Sequence, residues 1–237
     1  MYAPALFLQV TLTGQLALLM LIERLEIHGI PVVSANTDGA VIRCPVKQIP
    51  EMDAIVEWWE QVTGFETEAT EYAAIYSRDV NNYIALKTGG GVKTKGAYAS
   101  TSLSKSPVNE ICTEAVVAYL ESGTPVEQTI RACQDIRKFI TLRQVRGGAV
   151  WKGQYLGRVV RWYYARGDAD TIHYTTNGNT VARSQGSRPC MVLPDALPAD
   201  IDLDWYVSEA RDMLGDLGVA DLVEGGCAHP PVQMALV

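Results

Sequence analysis

Two short β-branched runs meet around four turn-forming residues, and this constrains the fold more than any other feature of the chain. Ile30-Pro31-Val32-Val33-Ser34-Ala35 leads into Asn36-Thr37-Asp38-Gly39 and then into Ala40-Val41-Ile42-Arg43-Cys44. That spacing predicts an antiparallel hairpin. Upstream, Thr13 is placed to cap a helix with apolar positions Leu16, Leu19, Met20, Ile22, Leu25 and Ile27. They cover most of its surface, so the helix is expected to be largely buried, with Gly29 ending it. A helix feeding a hairpin points to an α+β architecture.

The stretch Ala5 to Ile22 is apolar, but Gln9, Thr11, Thr13, Gly14 and Gln15 interrupt it and no Lys or Arg precedes it. A signal peptide needs a basic start, and a spanning helix needs about 20 mostly apolar residues. The expectation is a soluble, cytoplasmic protein without a membrane partner.

Downstream, residues 50–63 open with Pro50 and acids and predict a second helix. Residues 65–87 alternate as two strands with a turn at Ser77–Asn81. Thr88–Gly96 (TGGGVKTKG) is a glycine-rich connector and marks a boundary, dividing the chain into 1–98 and 99–237. Its Gly-Val-Lys-Thr end departs from a phosphate-binding GxxxxGK[ST] loop, because Val92 separates Lys93 from the glycines. A hinge is the better reading. Beyond it the pattern is helical over Val108–Ser122 and from Val126 to about Phe139, with Asn109 and Thr124 as caps. A further helix covers Trp205–Leu217, and Asn177-Gly178 signals a turn.

Charge is unevenly spread. Residues 1–86 carry 4 basic and 11 acidic side chains, residues 87–166 carry 13 and 5, and residues 167–237 carry 3 and 11. The net charge of −7 argues against a nucleic-acid binder, whereas the basic middle argues for a polyanion partner. Between Arg131 and Arg166 stand nine basic residues and one acid, Asp135. Among them, Arg143, Arg146, Arg158 and Arg161 are candidate phosphate contacts. Gly147-Gly148 would let backbone approach a phosphate, and Trp162-Tyr163-Tyr164 is read as core. The five cysteines include no CxxC pair, so neither a disulfide framework nor a structural zinc site is expected. Cys227 and His229 lie in GGCAHPP, which reads as a loose tail.

Asp38 sits where a hairpin tip can offer a carboxylate to a hard cation, although Asp before Gly is also a common turn former. With Leu12-Thr13-Gly14-Gln15 ahead of it, the run Gly29–Gly39 resembles the third catalytic motif of family B DNA polymerases, most closely the bacteriophage form: helix, strand, Tyr-Gly-Asp-Thr-Asp-Ser, returning strand. Asn81-Asn82-Tyr83-Ile84-Ala85 falls where that family has Lys-Lys-Arg-Tyr-Ile-Gly, and Lys95-Gly96 where it has a Lys-Gly pair closing the palm.

The resemblance spans about residues 8–220. It implies the C-terminal half of an antiparallel palm followed by a mainly helical thumb. It implies that Asp38 is a catalytic ligand of Mg²⁺ in a two-metal nucleotidyl transfer, acting on primer-template DNA and deoxynucleoside triphosphates. Glu71 is the candidate for a second carboxylate within the chain, its alternative being a solvated strand acid. Thr37, Asn82, Tyr83, Lys87, Lys93 and Lys95 are implied primer or DNA contacts. Asn36 replaces the family's first aspartate, and an amide is not an ionised ligand. The upstream Asp-x-x-Ser-Leu-Tyr-Pro motif and the nucleotide-gripping fingers helix have no counterpart. A separate N-terminal polymerase part is therefore the expected partner, and a non-catalytic DNA-binding or assembly subunit is the alternative.

Overall fold

A computed structural model describes residues 3–37, 39–99 and 107–219, together with the backbone of 233–236. Asp38, Cys227 and His229 lie outside the described residues. The chain divides into two compact units. One ends at Ala97 and takes in the strand Gln233–Leu236, and the other begins at Tyr98.

The first unit opens with α1 (Pro4–Ile27), which has Pro4 in its first turn. The helix starts nine residues before the expected Thr13 cap, since the uncharged run ahead of Thr13 is itself good helix. It is also far less covered than expected. Only Leu21 and Leu25 are buried, and Leu6, Phe7, Leu8, Val10, Leu12, Leu16 and Leu19 are all exposed. Its C-terminal turns pack on one side only, against α2 (Ile49–Thr63) and the hairpin, so the apolar residues on its other faces meet no neighbour among the described residues. By length and composition α1 meets the requirement for a membrane-crossing helix.

Below α1 lie β1 (Val32–Asn36) and β2 (Gly39–Ile42), antiparallel as the turn residues predict, with Asn36 opposite Gly39. Ile30, Ile42, Leu21, Leu25, Met52 and Trp59 form one core with Cys44 and Ile55. Trp59 Nε1 donates to the Ala17 carbonyl at 2.7 Å, which satisfies the one polar atom the indole brings into this packing. Gly64 ends α2 in the left-handed region that glycine adopts without penalty.

The sheet is completed by β3 (Ala69–Asp79), β4 (Asn82–Lys87), β5 (Val92–Lys95) and β10 (Gln233–Leu236), in the order β1-β2-β10-β3-β4-β5. Every pairing is antiparallel, and β10 lies between β2 and β3. The strand 233–236, expected to belong to the tail of the second unit, instead joins the first unit. It joins a sheet whose other members are all closed by Lys95.

The second unit holds α3 (Glu110–Ser122), α4 (Val126–Ala132) and α5 (Leu203–Asp216). It also holds a four-stranded antiparallel sheet, β8-β6-β7-β9, built from β6 (Thr141–Trp151), β7 (Gln154–Tyr164), β8 (His173–Tyr174) and β9 (Ser187–Pro189). The α+β class holds, but this unit is not mainly helical. The basic, aromatic stretch after residue 140 is a long hairpin. Its turn, Trp151-Lys152-Gly153-Gln154, places Lys152 and Gly153 at positive φ, the geometry that matches strand twist.

α4 stops at Ala132, short of the expected Phe139, since Cys133 is already extended and Asp135 starts a tighter turn by accepting the Arg137 N–H. Asn109 stands at the N-cap of α3, but its side chain makes no capping bond. Its side-chain oxygen instead accepts the Thr141 hydroxyl at 2.8 Å in the interior. Trp162, Tyr163 and Tyr164 are buried as read. Tyr206 lies at the centre of the aromatic core: its hydroxyl donates to the Phe139 carbonyl at 2.8 Å and accepts the Tyr164 N–H at 3.0 Å.

Candidate nucleic-acid interface

Two neighbourhoods collect the sequence candidates, one in each unit. In the first unit, two hairpin tips converge. Asn36, at the end of β1, accepts the Thr37 N–H at 2.8 Å through its side-chain oxygen. Through its side-chain nitrogen it donates to Asn81 Oδ1 at 3.3 Å, which ties the 36–39 turn to the β3–β4 tip. Asp79 shapes that second tip, accepting the Asn81 N–H at 2.9 Å and the Asn82 amide on both carboxylate oxygens at 2.8 Å. The Asn82 bond is the main reason its carboxyl sits below the ordinary aspartate range. Asn82 Oδ1 accepts the Ala97 N–H at 2.7 Å. Both ends of the Asn82 carboxamide are therefore used within the fold.

Gly96 stands beside this joint with φ +65°, and a Cβ there would collide with Asn81 O and Asn82 Oδ1. The Lys-Gly pair read from the sequence thus has a local cause: the chain must pass the β3–β4 tip without a side chain.

Tyr83, opposite Lys95, and Lys87 share one face of the β4–β5 ribbon with Lys93 and Lys95, because strand side chains alternate. The Lys95 ammonium lies 5.9 Å from the centre of the Tyr83 ring. Burial works against the charged form of Lys93, but the adjoining Tyr72 and Tyr83 hydroxyls outweigh it and hold its pKa above the ordinary value. Glu71 lies next to the end of β4, where its carbonyl accepts the Thr88 N–H at 3.3 Å, and away from the β3–β4 tip. It is exposed, pairs in register with Met234 of β10, and belongs to the early part of β3 rather than its tip. Thr37 is exposed in the turn.

A Mg²⁺ pair needs clustered carboxylates. Among the described residues no group of three or more His, Cys, Asp or Glu side chains could hold a metal ion. The carboxamide of Asn36 is already engaged. The donors described in this chain do not make up a two-metal site.

In the second unit the basic block sorts into two sets. Arg131 pairs with Asp204, Arg137 with Asp135, Lys138 with Glu114, Lys152 with Asp168, and Arg166 with Asp202 and Asp204. Arg143, Arg146, Arg158 and Arg161, all on the β6–β7 hairpin, have no acidic partner among the described residues. Sequence alone could not separate the sets, because the acids that neutralise Arg131 and Arg166 come from near residue 203.

Arg146 and Arg158 border a groove of about 1140 Å³, lined also by Gln144, Tyr174, Thr176, Asn177, Asn179 and Thr180. The Gly147-Gly148 reading is corrected here. Both glycines have positive φ, but their open sides are filled by Thr176 and Tyr155, so the close approach they permit is internal packing. Asn177, read only as a turn former, and Asn179, not singled out, are the polar groups that sequence reasoning missed.

No protein-family model and no curated protein matches the chain. The fold is nevertheless recognisable: it is DNA polymerase-like. A solved structure that shares it is the family B DNA polymerase from the hyperthermophilic archaeon Pyrobaculum calidifontis, with a TM-score of 0.51 and 16% identity. The similarity covers 96% of this chain and 31% of that one, so the chain spans about a third of the polymerase it resembles.

Proposed function

We propose that the chain is the C-terminal palm-and-thumb portion of a phage-type family B DNA polymerase. In the reaction, a primer 3′-hydroxyl attacks the α-phosphate of a deoxynucleotide and pyrophosphate leaves. The observation that carries this reading is the similarity over 96% of the chain to one third of a polymerase. The convergence of the 36–39 turn with the β3–β4 tip supports it, since the two pieces of sequence that resemble polymerase motifs meet there.

Asp38 is the proposed Mg²⁺ ligand. The remaining acid comes from a preceding polymerase segment that carries the other aspartate. That segment also covers the outward apolar faces of α1, in a cytoplasmic assembly rather than a membrane. Tyr83, Lys87, Lys93 and Lys95 face the primer, and the four unpaired arginines of the β6–β7 hairpin hold DNA phosphate. Such contacts make affinity fall steeply with salt.

A second reading is favoured by Asn36. Its amide stands where the family has an acid and is spent on Asn81, as suits a DNA-binding or assembly subunit without catalysis.

Primer extension separates the two readings. The purified chain is assayed with Mg²⁺ and all four deoxynucleotides, alone and with a co-expressed polypeptide carrying Asp-x-x-Ser-Leu-Tyr-Pro. Extension only in the mixture, abolished by Asp38→Ala, is the expected result. Extension unaffected by Asp38→Ala overturns the ligand assignment. No extension in a mixture that does associate favours the non-catalytic subunit.

A further inference from the structure

The groove of the second unit is walled on one side by the β6–β7 hairpin and on the other by the loop 174–180. That loop is stapled to β6. Thr175 N donates to the Gly148 carbonyl at 3.1 Å, and its hydroxyl donates to the Gly147 carbonyl at 3.3 Å. Across the turn, Tyr174 N donates to the Asn179 carbonyl at 2.8 Å and Gly178 N to the Tyr174 carbonyl at 2.9 Å. Asn177 Oδ1 accepts the Asn179 N–H at 3.0 Å, so the oxygen of its carboxamide is engaged within the loop. The wall is preformed, and a preformed site avoids the cost of ordering on binding.

The lining is chemically specific. It carries two cations, Arg146 and Arg158, and no Asp or Glu. Three carboxamides, Gln144, Asn177 and Asn179, line it with them, and the half-buried Tyr174 ring forms part of the surface. Arginines without acid partners suit phosphate oxygens. Carboxamides offer a donor and an acceptor together, as base edges do. A basic groove beside an aromatic ring is how proteins hold unpaired nucleotides. A duplex presents its phosphates on a convex surface and hides its Watson–Crick edges, so a concave, amide-rich site of this size suits it poorly.

We propose that this groove binds a single DNA strand, with phosphates on Arg146 and Arg158 and base edges on Gln144, Asn177 and Asn179. The polymerase reading supplies the class of polymer, and the groove itself supplies the strand state.

The test is fluorescence anisotropy of the whole chain with a labelled oligodeoxythymidylate and with a hairpin duplex of the same length, over a range of salt. The strand is expected to bind about ten times more tightly than the duplex. Arg146→Gln with Arg158→Gln lowers strand affinity about tenfold. The same pair reduces the log–log salt slope by about 1.4, or about 0.7 for each phosphate lost. Asn177→Ala with Asn179→Ala weakens strand binding at an unchanged salt slope. Arg131→Gln, at an ion pair outside the groove, is the control and changes binding less than twofold. Circular dichroism confirms that each variant is folded.

Tighter duplex binding, or strand binding indifferent to the Arg146/Arg158 pair, overturns the proposal. Strand binding that persists where primer extension fails leaves the groove assignment standing and removes only the catalytic reading.

Discussion

The carboxamide of Asn36 donates to that of Asn81 at 3.3 Å across 45 positions of sequence. The bond ties the end of β1 to a second hairpin whose own tip is braced by Asp79. With a carboxylate at position 36, Asn81 keeps the bond by turning its amide nitrogen to donate, so the position tolerates an acid.

Asn36→Asp places a second acid one residue from Thr37-Asp38. We expect it to tighten Mn²⁺ binding by about tenfold, because charge count tunes the affinity of oxygen sites. Adding Asp38→Ala should remove the gain. Isothermal titration of both variants reads it, and an Asn36→Asp protein no tighter than wild type would place Asp38 away from that turn's cation-facing side.

Gly96→Ala should destabilise the first unit by about 3 kcal/mol or more. A left-handed alanine costs about 1–2 kcal/mol and overpacking about 1–3 kcal/mol. Gly123 has φ +70° but nothing within 4 Å of a built Cβ. Gly123→Ala should therefore cost only the backbone part, about 1 kcal/mol. Urea midpoints of the two variants compare the terms directly.

Tyr206→Phe leaves two buried backbone groups, Phe139 C=O and Tyr164 N–H, without their partner. The expected loss is about 2 kcal/mol. Tyr155, which is exposed, gives the contrast: Tyr155→Phe should change stability by less than about 0.5 kcal/mol. Equal effects would mean that the Tyr206 hydroxyl is dispensable to the core.

Tyr163 contributes to alkaline behaviour. Burial, and then the hydrogen bond its hydroxyl donates to Asp200 at 2.9 Å, push its pKa up to about 12. An unfolded tyrosine titrates near 10. The folded value is the higher one, so the contribution is complete below about pH 10 and is lost as pH rises through about 12. Between those limits the wild-type urea midpoint should fall more steeply than that of Tyr163→Phe. Parallel profiles would show that Asp200 does not hold the hydroxyl.

Legibility followed the range of the forces involved. The first hairpin could be read because Asn36-Thr37-Asp38-Gly39 fixes a turn locally, and α2 because Pro50 and Gly64 bracket it. The Lys152-Gly153 turn is just as local, but Lys carries a weak turn signal, so the β6–β7 hairpin passed as a basic, aromatic stretch. Alternation in β6 is also broken, with register shifting between Gln144 and Ala149.

At the site, Tyr83, Lys93 and Lys95 were singled out by the resemblance to polymerase motifs. The part played by Asp79 could not be read that way, because its meaning lies in the Asn81 and Asn82 amides it holds. The groove was hidden for the same reason: Asn177 and Asn179 become neighbours of Arg146 only after the 174–180 loop is stapled to β6. The exposure of α1 was misjudged because apolar composition states what a helix prefers to bury, not whether the partner is present.

The position of β10 has a consequence for the order of events during synthesis. Five strands of the first sheet exist once Lys95 has left the ribosome, but the strand between β2 and β3 arrives only with Gln233–Leu236. At translation speeds of about 5–20 residues per second, the intervening stretch takes on the order of ten seconds to make. For that interval β2 and β3 present open edges, the kind of surface that chaperones shield and that neighbouring nascent chains can pair with. Yield in the cell should therefore respond to whatever slows or masks the segment after residue 219 more than to equal changes in the linker at Gly89–Gly91.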